Sequence, residues 1–389
     1  MRLAALALSL LAPSLSAAAE LHVPAAYASV SAALDAAAPG DEIVVAAGVF
    51  PLATERDGIH VTIRGAGRGL TVLDGGGTTG LLLFNSTLTL RALSVRNAED
   101  GVHLSDSSAV IEDVRFEACV RDGLELNRRS SATVTDVEFV NMGDDGIDMG
   151  RNASLLCTGC DILDNEDDGI EIRLNDFTGP PVTVEVRQSR IERNGGVGIQ
   201  LIDYEEQNPR TFHFHDLVIA DNVDGGVTWQ CCGDSGEDLD GWPGDEPVRI
   251  ERATIVGNDG PGVEGGAPGL MEVRDSILFG NAFDLYQVGG PLGANLIGVD
   301  PLFTTDFRLS LASPAVGAAA GGGDLGAFPL RECSNGADDD GDGFVDLADS
   351  GCPNLDDDGE WMFVGGPGCG LGPELALLFG ALAWRRMRS

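Results

Sequence analysis

The sequence predicts an all-β chain wound as a β-solenoid. Three observations predict it: a glycine-marked repeat of twenty-odd residues, short alternating strands between the marks, and an apolar helix placed to cap the first coil. The repeat shows in "EDGVHL", "RDGLEL", "DDGIDM", "DDGIEI", "GVGIQL" and "DGGVTW". Their aligned glycines fall at 101, 123, 146, 169, 198 and 226, in steps of 22, 23, 23, 29 and 28. A period of this size belongs to units that cannot bury an apolar face alone and stack on one another to do so. Between the glycines run "ATVTDVEF" (132–139), "VTVEV" (182–186) and "TFHFHDLVI" (211–219). These are β-branched, alternating and bounded by Asn, Asp and Gly, the pattern of strands and turns. One period has no room for a helix, so each coil is strand and turn, with open edges only at the two ends. Before the repeats, "ASVSAALDAAAPGDEIVV" gives a helix over about 29–37, stopped by Pro39-Gly40, that covers the first edge. After them, "GVDPLFTTDFRLSLASPAVGAAAGGGDLGAFPL" is irregular and closes the other.

Alternation after each glycine sends Val102, Leu124, Ile147, Ile170, Ile199 and Val227 inward. It sends His103, Glu125, Asp148, Glu171, Gln200 and Thr228 outward. Coils stack about 4.8 Å apart, so Glu125, Asp148 and Glu171 form a column whose outer members lie roughly 10 Å apart. Carboxylates that close raise one another's pKa unless a cation intervenes. Three readings stand: a Ca2+ site, which takes several carboxylate oxygens; an acid/base pair near the separation used by inverting hydrolases; or an acidic face in water. The loops that follow this strand lengthen in successive coils, from "SDSS", "NRRSS" and "GRNA" to "RLNDFTGPP", "IDYEEQNPRT" and "QCCGDSGEDLDGWPGDEP". They build a wall beside the column, and Tyr204 and Trp242 on them are placed to stack on a ligand ring. Trp229, which aligns with Leu104 and Ile172, reads as core.

Other repeating residues read as scaffold. Asn97, Asn165, Asn194 and Asn222 stand four residues before an aligned glycine, and Asn258 and Asn281 continue the row as an amide ladder. Asp100, Asp122, Asp145 and Asp168 read as turn formers in Asp-Gly pairs. Cys157 and Cys160 align with inward Val134 and Val137, giving small core side chains or a local disulfide in preference to zinc. The partner of Cys231 or Cys232 cannot be read, and His213 and His215 face outward on another strand as surface residues.

The formal charge is −38, and all 24 basic residues are Arg. Such a chain repels nucleic acid, and without Lys it has no Schiff-base former. The start, "MRLAALALSLLAPSLSAAA", is a secretory signal over 1–19, and export permits disulfides. The β-solenoid occupies 20–330, read as a monomer. A segment at 331–360 carries "CSNGADDDGDGFVDLADSGC", in which Asp338, Asp340, Asp342 and Asp346 follow the alternating order of a Ca2+ loop, with Gly343 for its sharp turn. Cys333 and Cys352 flank that loop as a pair. The tail, 361–389, joins Cys369 to an apolar stretch and three Arg in the last five residues. The stretch is shorter than the ~20 residues of a comfortable spanning helix.

With these residues in view, the chain resembles known families. "VPAAYASVSAALDAAAPGDEIVVAAGVF", "TIRGAGRGLTVLDGGG", the coils and "VDPLF…DFRLSLASPA…DLGAF" resemble the right-handed parallel β-helix proteins of the pectin-lyase-like superfamily, over about 20 to 330. That resemblance implies a right-handed parallel β-helix with a polysaccharide as partner, bound and cleaved by a lyase or hydrolase; some members have no known catalysis. In its lyases, carboxylates on such a face hold Ca2+ and an Arg or Lys abstracts a proton. Here Glu125, Asp148 and Glu171 match the carboxylates, and Arg173 is the base candidate, with Arg128 and Arg129 in a neighbouring turn. No motif of a specific lyase, epimerase or polygalacturonase is present. The Asp338 loop resembles thrombospondin type 3 and dockerin-like calcium repeats. The tail resembles myxobacterial C-terminal sorting signals, which implies retention at the cell surface or outer membrane through the tail or a lipid on Cys369. The alternative to an enzyme is a non-catalytic surface or adhesion module.

Overall fold

The computed structural model describes residues 18–328 apart from 175–179, 204–209, 232–247, 266–270, 290–291 and 305. The signal segment, the loop at Asp338, Asp340, Asp342 and Asp346, the tail with Cys369, and Tyr204 and Trp242 lie outside the described residues. The chain divides into two compact units, Met1–Pro329 and Leu330–Ser389, and the described residues belong to the first.

Short alternating runs become strands, and their inward rows stack. Among the described residues one helix, Val30–Ala36, stands among strands gathered into a 17-stranded and a ten-stranded sheet. In the smaller sheet the parallel register runs Leu81, Val102, Leu124, Ile147, Ile170, Ile199, Val227, Val263, one residue per coil. All eight are fully buried, so the inward row is as the alternation predicts, and Trp229 is core at 3% exposure. The helix is capped by Ser29, whose hydroxyl accepts the Ala32 amide, and it buries Val30, Ala33 and Leu34.

The glycines are there for close approach, not for turn conformation. None of Gly101, Gly123, Gly146, Gly169, Gly198 or Gly226 has left-handed backbone. A Cβ on Gly146 would stand 2.6 Å from the Ile162 Cγ2 and 2.7 Å from the Gly169 carbonyl oxygen of the next coil. The turns are made elsewhere, by stacks of left-handed residues at two corners. Asp113, Asp136, Gln188 and Asp216 occupy one, Ala118, Asn141, Asp164 and Arg193 the other, with φ of 52–58°. Asp136 therefore splits the run expected as one strand into Ser131–Thr135 and Glu138–Val140. A disulfide joins Cys157 and Cys160 at this corner one coil on, as one of the two sequence readings had it.

The amide ladder forms, with one correction. Asn165, Asn194, Asn222 and Asn258 each donate Nδ2 to the Oδ1 of the next Asn, at 2.8, 2.8, 3.0 and 2.8 Å, ending on Asn281. Asn97 is not a rung: it takes the left-handed corner (φ 50°) and bonds Asp74 at 3.1 Å. The stretch before Gly101 is one residue short, so Ala98 occupies the rung position, followed by Cys119 and Met142, all buried. The irregular end does more than close an edge. Asp306 reaches Arg190 at 2.8 Å, and the Ala327 amide bonds the Thr254 Oγ1 at 3.0 Å.

Gly146→Ala should therefore destabilise by about 1–3 kcal/mol, the usual cost of overpacking. Gly321→Ala, where a Cβ meets nothing within 4 Å, should stay within about 0.5 kcal/mol of the parent. Urea unfolding of both variants is the check; a Gly146→Ala midpoint equal to the parent's would contradict the close-approach account.

Candidate functional site

Register stacking builds the site. Glu125 lies opposite His103 and Asp148, and Asp148 opposite Glu171, which faces Gln200. The expected column exists. It is not a face in water, however, because Glu125, Asp148 and Glu171 are only 8, 7 and 8% exposed. The acidic-face reading is thereby corrected. Arg121 and Arg173 lie against these carboxylates, and a second acidic row stands beside them.

That second row is Asp100, Asp122, Asp145 and Asp168, each at most 4% exposed. Asp122 Oδ1 accepts the Asp145 amide at 3.1 Å, Asp145 Oδ1 the Asp168 amide at 2.9 Å, and Asp168 Oδ1 the Val197 amide at 2.6 Å. Asp122, Asp145 and Asp168 thus tie each coil to the next, a scaffold role other than the turn-forming one expected of them, since the left-handed corners lie elsewhere. It also leaves them in the site. Asp145, Asp148 and Glu171 each offer an oxygen within 4.8 Å of the others, and so do Asp144, Asp145 and Asp167.

Counter-charge is supplied at the two ends. At one end Arg121 reaches Asp100, Asp122 and Glu125 at 3.4–3.5 Å, and His103 Nδ1 lies 2.5 Å from Glu125. Burial disfavours the His103 imidazolium, but Asp100 and Glu125 outweigh it and carry the ring up to about 9. At the other end Arg173 bonds Asp148 at 2.7 Å and contacts Glu171. Burial works against its charge, and the two carboxylates outweigh burial, so the guanidinium is held charged more firmly than usual. A proton-abstracting base must become neutral, and this pairing opposes that; Arg173 is placed as a counter-ion. Arg129 bonds Asp106 at 2.7 Å.

The middle is less well compensated. Burial first, then Asp168, Glu171, Asp122 and Asp144, push Asp145 up to about 10, outweighing the charge of Arg173, which also reaches it. Burial likewise raises Asp168 to about 8, Asp122 to about 7 and Glu171 to about 7, the last despite Arg173. The donors at Asp145 are all carboxylate oxygens, the chemistry of a hard divalent cation. These residues fit Ca2+.

Residues 79–236 match the family model described as a right handed beta helix region. The structure of a pectate lyase, Pel9A, superposes with a TM-score of 0.58 at 18% identity, covering 81% of this chain and 97% of that one. The fold is a right-handed parallel β-helix. Two further β-helix matches are looser: the periplasmic alginate epimerase AlgG, TM-score 0.40, 12% identity, 65% and 70% of the two chains; and a GH87 alpha-1,3-glucanase catalytic domain, 0.39, 14%, 72% and 65%. No curated protein matches the chain in sequence.

Protons held by this β-helix have a stability consequence. The four raised carboxyls start from ordinary values of 3.8 and 4.5 and rise to between about 7 and about 10 on folding. The folded state therefore binds protons that the unfolded state has released, and that stability is lost as pH rises through the folded values. His103, raised from 6.5 to about 9, acts in the same direction. In chelator, the melting temperature should fall between about pH 5.5 and about pH 8.5. Added Ca2+ should restore it at the higher pH and do little at the lower. A melting temperature that rises with pH in chelator would contradict the raised values.

Proposed function

We propose that this chain is an exported, surface-retained β-helix protein that binds an acidic polysaccharide along the smaller sheet through Ca2+ at the Asp145 cluster, and cleaves it. Asp145 carries the reading. It belongs to both oxygen sets, and burial and the surrounding carboxylates push it up to about 10, more than the charge of Arg173 offsets. Bound there, Ca2+ would offset part of the carboxylate charge and offer a polyanion a cation to share on a chain of charge −38. Asp145, Asp148 and Glu171 would hold it, with Asp144 and Asp167 alongside. Arg173 orients Asp148 and Glu171 and sets a second positive charge beside them. The likeness to a pectate lyase along nearly that protein's whole length supports a polysaccharide as the ligand.

For cleavage, Asp168, which is not among the residues that would hold Ca2+, is pushed up to about 8 by burial and holds a proton near neutrality, where a general acid or base works best. The firm pairing of Arg173 favours a second reading, in which the column binds and the chain serves as a surface or adhesion module. The Asp338 loop fits a calcium-stiffened spacer, and the tail a membrane or lipid anchor at Cys369.

A glycan array with and without chelator tests binding before chemistry. The expected outcome is retention of uronate-type polymers only with Ca2+, weakened about tenfold or more by Asp145→Asn, which keeps the acceptor for the Asp168 amide. Arg173→Ala, which removes the counter-charge beside Asp148 and Glu171, should lower both retention and turnover. Retention unchanged by chelator would end the Ca2+ reading, and no turnover of any bound polymer would leave the binding module.

A further inference from the structure

The two acidic rows change chemistry after Asp168 and Glu171 and run on to the end of the smaller sheet. By register the outward column continues from Glu171 through Gln200, Thr228 and Glu264 to Tyr286. The second row passes from Asp168, whose carboxylate takes the Val197 amide, through Val197, Gly225 and Pro261 to Phe283. The carboxylates that crowd the middle thus give way to a single glutamate, and both rows finish in an aromatic ring.

Those two rings are set apart from the rest of the chain. Phe283 and Tyr286 are 60 and 40% exposed, and no other Phe, Tyr or Trp among the described residues is exposed. They stand three residues apart on Phe283–Tyr286, the last strand of the ten-stranded sheet. Their centroids are 5.7 Å apart and their planes are tilted by 39°. Leu285 is the residue of this strand that packs on the core, over Val263. The rings therefore do little for the interior and hold a joint apolar surface in water. A pair of this kind marks a binding surface more than a single exposed ring does. A pyranose ring has a face of C–H groups that lies well against an aromatic ring, and the contact takes apolar area from water on both sides. Neither ring is charged, so stacking here needs no cation, unlike binding over the acidic middle.

We propose that Phe283 and Tyr286 form a distal stacking subsite for the glycan that the acidic middle holds through Ca2+, an inference that rests on that reading of the middle. Four coils of about 4.8 Å separate Tyr286 from Glu171, about 19 Å in all. One ligand reaches both places only as a chain of several linked pyranose rings laid along the helix axis. The subsite thus selects for length: a polymer engages both ends of the groove and a disaccharide only one.

The test measures binding of soluble oligogalacturonates and oligomannuronates, from the disaccharide upward, to the full chain in Ca2+ by calorimetry, with light scattering for mass. For the parent, affinity should rise with length until the oligomer spans about 19 Å. Phe283→Ala and Tyr286→Ala should each weaken the long oligomers roughly two- to tenfold, the usual worth of an aromatic contact, and leave the disaccharide unchanged. Tyr286→Phe, which keeps the ring, should bind as the parent does. Should an alanine variant misfold by circular dichroism, Tyr286→Leu, which keeps apolar bulk without a ring, is read in its place and should weaken the long oligomers likewise. Long oligomers bound equally by the parent and both alanine variants would overturn the subsite and leave the Ca2+ reading standing. No binding of either series by the parent, with Ca2+ present, would overturn both. A parent dimer that the alanine variants split, with oligomer affinity unchanged, would give the rings to a second copy of this chain and overturn the subsite.

Discussion

Coils stacked in register put every residue directly over its counterpart, about 4.8 Å away, and the rest of this structure depends on that constraint. The glycine row makes it possible. A side chain at Gly146 or Gly169 would meet the carbonyl of the glycine above at 2.7 or 2.5 Å, so the coils close only where that position is bare. Once they close, like falls on like. Valine and isoleucine rows fill the interior, asparagines hand hydrogen bonds from coil to coil, and aspartates accept the amide of the next coil.

The same rule gathers charge. An aspartate useful for tying one coil to the next becomes, when repeated, a buried row of carboxylates, and the outward row adds Glu125, Asp148 and Glu171 beside it. Placed in water these groups would cost little. Buried at no more than 8% exposure, they must hold protons, borrow guanidinium and imidazolium charge, or take a metal ion. Arg121 and His103 serve one end, Arg173 the other. Arg173 reaches Asp145 as well but does not cancel its neighbours, so the demand for an outside cation falls on the middle of the stack.

Much of this was legible in the sequence because a β-helix repeats its own register. Glycine spacing alone placed Glu125, Asp148 and Glu171 in one column and sent Ile147 and Ile170 inward, as the pairing shows. Four things were hidden. The corner at Asp136 is masked by the alternating apolar residues on both sides of it, and Ala118, Arg193 and Gln188 at other left-handed corners bear no turn signature. Asn97 misled because its coil is a residue short. The burial of Asp122, Asp145 and Asp168 was missed because Asp-Gly suffices to explain a turn; only the 23-residue recurrence of the doubled Asp144-Asp145 and Asp167-Asp168 pointed to a shared pocket. Arg173 was correctly set beside the column, but its two ion pairs, which oppose service as a base, are a matter of side-chain placement.

The central claim is that the Asp145 stack holds protons until a divalent cation replaces them. Calorimetric titration of the chain with Ca2+ near neutral pH, in two buffers of different ionisation enthalpy, counts the protons exchanged. The account predicts release of protons on binding, and loss of that release in Asp145→Asn. Binding with no proton release, or release unchanged in Asp145→Asn, would contradict it.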